Sequence, residues 1–164
     1  MSLKALIQHT IGVSDMIVAK YLDDLPPEAF LARPVAGMNH IAWQLGHLIS
    51  TERRFVEGIK PGSCPELPEG FDAQHAKETH DVDDPAAFLT KEQYLEIWKV
   101  QRDATKAALE TLSDEELAAQ NPIEKMRNFC PTVGAMFSIA GLHTLMHAGQ
   151  FVPTRRQEAM PIAF

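Results

Sequence analysis

MFSIAGLHTLMHAGQFV, residues 136–152, is the last strongly apolar run of the chain. Met136, Ile139 and Ala140 define one stripe at the 3–4 spacing of a helix, and His143, His147 and Gln150 continue it. The two histidines therefore face the core. Thr132 is the N-cap ahead of the run, and Pro153 predicts its end near Val152. The run is long enough to cross a bilayer, but two histidines, a glutamine and small polar residues argue against a span. Imidazoles at i and i+4 on one face form half of a metal site, and they also occur as hydrogen-bonded core histidines. The rest of the chain has to separate these readings.

Three further amphipathic stretches precede this run. Leu3 to Asp23 carries Leu3, Leu6, Ile7, Ile11, Ser14, Ile17, Val18, Tyr21, Leu22 and, just beyond it, Leu25 at the 3–4 spacing of one amphipathic face, and Pro26–Pro27 stops it. The second covers Asn39 to Gly58, with Asn39 as N-cap and Ile41, Leu45, Leu48, Glu52 and Phe55 as its stripe. The third covers Lys91 to Leu112, where Thr90 and Gln93 have capping-box spacing. Ser113 and Glu116 repeat that spacing ahead of a short helix near 114–120. Residues 59–87 carry no period, four prolines and many acids, with room for a short helix within 71–80. No stretch alternates as a strand does. The expectation is an all-α protein, a four-helix bundle with a long connection between helices two and three, in one domain over residues 1–164.

The chain has 164 residues, 45% of them hydrophobic and 23% charged, with a net charge of −7. A chain of this size buries roughly 70% of its unfolded surface and needs no disulfide to hold a core. The acidic balance and the lack of a basic patch argue against nucleic acid. Cys64 and Cys130 form neither a disulfide framework nor a CxxC pair and read as plain thiols. The N-terminal pattern is periodic and does not read as a signal peptide, so the expected setting is soluble and cytoplasmic, with no membrane partner.

His40 and His47, seven residues apart, share a face of helix two that flanks its apolar stripe. His47 lies well inside the helix. His40 sits in the first turn and is read as making local polar contacts. Gly46, Gly141 and Gly149 lie beside His47, His143 and His147. Glycine inside a helix costs about 1 kcal/mol relative to alanine, so these positions suggest close helix approach.

The segments NHIAWQLGHL and GLHTLMHAGQF resemble the two signature regions of the DinB/YfiT-like superfamily of small four-helix bundles. The resemblance covers both motifs, their order and the length of the chain. It implies a histidine triad, here His47, His143 and His147, holding a divalent metal, commonly zinc or nickel. Three imidazoles are also compatible with iron or manganese. A related branch places a carboxylate two residues after the second histidine. Gly149 stands there in this chain, so no carboxylate is carried over.

Relatives of this kind include mycothiol-dependent maleylpyruvate isomerase, bacillithiol S-transferases and ergothioneine-synthase-type domains. The resemblance thus implies a small-molecule substrate, a low-molecular-weight thiol and thiol transfer or isomerisation; it also admits a homodimer. A hydrolase working through hydroxide on the metal and a non-enzymatic, stress-linked bundle are the alternatives. Three protein ligands leave coordination positions open, as catalytic sites do. Glu52 is read first as a surface ion pair and second as a carboxylate orienting an imidazole. Gln150 is read as a hydrogen-bonding partner of a ligand, a substrate or the backbone, and Trp43 and Trp98 as core aromatics. His9, His75 and His80 are expected to lie outside the site.

Overall fold

Each amphipathic stretch forms a helix in the computed structural model, which describes residues 1–162. The long helices are α1 (Leu3–Leu22), α2 (Ile41–Ile59), α4 (Lys91–Glu110) and α6 (Val133–Gln157); α3 (Phe71–Gln74) and α5 (Asp114–Ala118) are short. The expected caps close them. Ser2 accepts from the Ala5 amide, Thr132 accepts from the Ala135 amide, and Thr90/Gln93 and Ser113/Glu116 form reciprocal capping boxes. The protein is all-α, and no strand forms among the described residues beyond an isolated bridge between Gln120 and Thr132. Among the described residues no helix is long and apolar enough to cross a membrane.

The stripes decide the packing. α1 runs along α6, and α2 packs on both α4 and α6. One apolar cluster gathers Val18, Leu22, Leu45, Ile49, Tyr94 and Phe151, and a second gathers Ile7, Ile11, Leu109, Leu117 and Phe137. Gly141 brings α1 and α6 together: a Cβ there would lie 2.8 Å from Thr10 Cγ2 and 3.2 Å from the Thr10 backbone. Arg102 lies between the helices, 2% exposed. Its guanidinium donates to Asp15 (2.6 Å), Glu52 (2.6 Å), Ser14 (2.8 Å) and the Ala140 carbonyl (2.9 Å), tying together all four long helices.

Two helix ends differ from expectation. The N-cap of α2 is His40, not Asn39; its Nδ1 accepts the Trp43 amide at 3.0 Å. An imidazole nitrogen thus replaces the usual short side-chain oxygen. α6 does not stop at Val152 but passes through Pro153 to Gln157. An interior proline costs about 3 kcal/mol, and tertiary contacts hold the last turn against it. Arg155, 2% exposed, donates to the Tyr21 carbonyl at 2.8 Å and pairs with Asp24 at 2.6 Å. Leu3 and Leu6, read as part of the α1 stripe, are 43% and 47% exposed because the buried face begins at Ile7.

The connection after α2 contains α3 and 3-10 turns at Lys77–Thr79 and Pro85–Ala87. Arg33 pins it by donating to the His80 and Val82 carbonyls and pairing with Asp83. Trp43 Nε1 donates to Thr79 Oγ1 at 3.1 Å. This anchoring holds the aperiodic segment against the end of α2 that carries His47.

Candidate metal centre

α2 and α6 bring His47, His143 and His147 together. One ring nitrogen from each lies within 4.8 Å of the others. The His143 and His147 Nε2 atoms face one another at 3.2 Å. The His47 ring centroid lies 5.5 Å from that of His143 and 5.6 Å from that of His147. His47 stacks on Trp43, with centroids 5.0 Å apart and planes 7° from parallel. Its half-buried position follows from the helical register: the histidine face flanks the α2 apolar stripe and so lies at the rim of the core.

Neighbouring groups orient the rings. His147 Nδ1–H donates to Gln44 Oε1 at 2.9 Å, and Gln44 Nε2 donates onward to the Asn39 carbonyl at 2.6 Å. With its proton on Nδ1, a neutral His147 has its lone pair on Nε2, toward His143. The backbone of His75 lies beside the His47 ring. His75 itself is buried under α2, where a Cβ on Gly46 would lie 2.1 Å from the His75 ring. Its ring donates from Nδ1 to the Phe71 carbonyl (2.7 Å) and accepts the Tyr94 hydroxyl proton at Nε2 (2.7 Å). Gly46 therefore admits a loop side chain, not a neighbouring helix, and Gly149 has nothing within 4 Å.

Burial keeps the site uncharged. Desolvation lowers the His47 imidazole below its usual range. Desolvation, with the neighbouring imidazoles adding to it, takes His143 to about 4 and His147 to about 3. All three are neutral near pH 7, the form that ligates metals. The donor set fits a divalent first-row ion: three imidazole nitrogens converge, and two of the rings are held by outer partners. A cavity of about 430 Å³ opens beside His47 and His143.

Other candidates fall elsewhere. His40 caps α2, and its Nε2 contacts the Val82 carbonyl at 3.2 Å, in keeping with a local polar role. Glu52 is not a surface ion pair and orients no imidazole. It is 5% exposed, and its two oxygens accept from Arg102 (2.6 Å) and Thr105 (2.5 Å). Burial pushes its carboxyl up, while Arg102 and Thr105 pull it back. The glutamine beside the triad is Gln44; among the described residues Gln150 makes no hydrogen bond to it. Trp43 and Trp98 are buried, as expected. His9 and His80 are exposed.

Sequence reasoning missed Gln44 and the role of His75. Gln44 did leave a signal, being the amide inside the otherwise apolar run IAWQL, where burial demands a partner. His75 left none, because it lies in an aperiodic segment whose contacts are all tertiary.

Helix, triad and oriented imidazoles define an all-α protein with a candidate three-histidine metal centre. The sequence model of the DinB superfamily matches residues 14–151, and the chain belongs to that superfamily. None of the curated proteins compared with the chain matches it.

Proposed function

We propose that this protein is a divalent-metal-dependent enzyme in which His47, His143 and His147 hold the ion, with zinc or nickel as the metal. The reaction we assign is transfer of a low-molecular-weight thiol to a small electrophile, or a thiol-assisted isomerisation. The convergence of three neutral ring nitrogens within 4.8 Å carries this reading. A divalent ion on three neutral ligands keeps its full charge and lowers the pKa of an arriving thiol.

The remaining work falls to the chain. Gln44 holds the proton on His147 Nδ1 and so keeps Nε2 free for ligation. The Trp43 ring, stacked on His47, holds it in place. The adjacent cavity, with mostly apolar walls, gives a small substrate a place beside the ligands.

Elemental analysis of natively purified protein, followed by zinc and nickel titration, tests the ligand set. One equivalent should bind, and His47→Ala, His143→Ala or His147→Ala should each remove most of the affinity. A screen of thiols against model electrophiles should give metal-dependent turnover that is lost in His147→Ala. Turnover that needs the metal but ignores every thiol would replace transfer by hydrolysis. Unchanged metal binding in all three variants would overturn the site.

A further inference from the structure

We propose that the cavity beside the triad binds a small amphiphile, an apolar ring or chain carrying one carboxylate, with the carboxylate seated toward Arg54 and Thr51. As a substrate class this rests on the enzyme reading above; as a binding site it stands independently. A volume of about 430 Å³ suits a small ligand. The walls come from three parts of the chain: Phe55 on α2, Met126 and Phe129 before α6, and Leu142 and Met146 on α6. Phe129, Leu142 and Met146 are 71%, 53% and 59% exposed, so a continuous apolar lining is left open to water.

Two polar groups give this lining a direction. His47, Thr51 and Arg54 follow one another on the same face of α2 and all border the cavity. Arg54 is the one charged side chain on the wall, and among the described residues no carboxylate pairs with it, although the chain carries a net charge of −7. Its guanidinium lies 5.9 Å from the centroid of the Phe55 ring. Thr51 is 6% exposed, and its Oγ1 has no hydrogen-bond partner among the described residues.

Two other helical threonines return their hydroxyl to the preceding turn. Thr144 donates to the Ala140 carbonyl at 2.7 Å, and Thr10 to the Leu6 carbonyl at 3.0 Å. Thr51 does not. An unsatisfied buried hydroxyl costs about 1–3 kcal/mol, a cost that a bound acceptor removes. A carboxylate meets both requirements: it accepts the Thr51 proton and takes the planar guanidinium fork. A single cation suits one negative charge.

Octanoate and 1-octanol, titrated into the full-length protein treated with chelator, are the probes, with ¹³C-methyl methionine NMR to locate them. Octanoate should bind about tenfold more tightly than octanol, shifting the Met126 and Met146 methyls and leaving Met16 in place. Arg54→Gln, at an exposed position, should erase the preference without weakening octanol, and Thr51→Val should weaken octanoate alone. Equal affinities, a preference that survives Arg54→Gln, shifts confined to other methionines, or no binding would each overturn the site. Octanoate binding without zinc binding would sink the metal reading and leave this one standing; zinc binding without octanoate binding would do the reverse.

Discussion

Two buried polar clusters share helices α2 and α6 and are built on opposite rules. Around Arg102, charge is matched by charge: Asp15 and Glu52 face the guanidinium, and Ser14 and the Ala140 carbonyl take further donors. Around His147 no counterion exists. Three imidazoles are kept neutral by burial; His147 Nδ1 is tied to Gln44, and the His143 and His147 Nε2 atoms face one another. A cluster whose donors and acceptors are matched holds helices together. A cluster that gathers neutral ring nitrogens with no charged partner beside them is arranged to receive a cation. The difference separates a buried charge that ties all four long helices from a candidate site on two of them, α2 and α6.

The largest effect that would sharpen this contrast is on the Arg102 side. Arg102→Met leaves Glu52 buried without its cation, and breaking a buried pair in this way costs about 3–5 kcal/mol. Denaturant unfolding should show a loss of that size. Glu52→Leu added to it should recover much of the loss, because matched apolar replacement of a buried pair is often neutral. Zinc affinity of the folded variant should stay within a few fold of the parent. A collapse of affinity in a fully folded Arg102→Met would merge the two clusters into one functional unit.

A second measurement uses acid. The folded-state values of His143, His147 and His75 are about 4, about 3 and about 4, against 6.5 unperturbed, and His47 and His40 are lowered as well. Between pH 6.5 and about 4 the unfolded chain binds protons that the folded chain does not. Stability therefore rises with pH through that window, is complete above it, and is lost as the solution is acidified. Glu52, raised by burial, opposes this with one group. The thermal midpoint of the metal-free protein should fall from pH 7 to pH 5, and His143→Ala should flatten the slope. A midpoint independent of pH there would mean that the imidazoles are not held neutral.

The smallest effect concerns orientation. Gln44→Leu removes the acceptor for His147 Nδ1–H and should weaken zinc binding about 10- to 100-fold, the usual cost of losing an outer partner. Gly46→Ala should act in the same direction by displacing the His75 ring and the segment that lies beside His47. Unchanged affinity in both variants would show that the outer partners only fill space.

Periodicity and caps made the long helices legible, because burial of one face and local capping are properties of neighbouring residues. The pair His143 and His147 was legible for the same reason: a single helix determines that they point together. His47 could be attached to them only by resemblance, since residues 47 and 143 share no local geometry. What the sequence alone left unread was what depends on partners distant in the chain. Pro153 reads as a stop, yet Arg155 carries the helix onward by reaching Tyr21 and Asp24. Glu52 reads as surface charge, yet Arg102, fifty residues on, makes it part of the core. His75 lies in a segment with no pattern, and only the space left by Gly46 and the hydroxyl of Tyr94 gives it a place beside His47. Local physics determined the elements and half of the site; long-range contacts, whose energies no short window of residues contains, decided which polar groups became scaffold and which were left open.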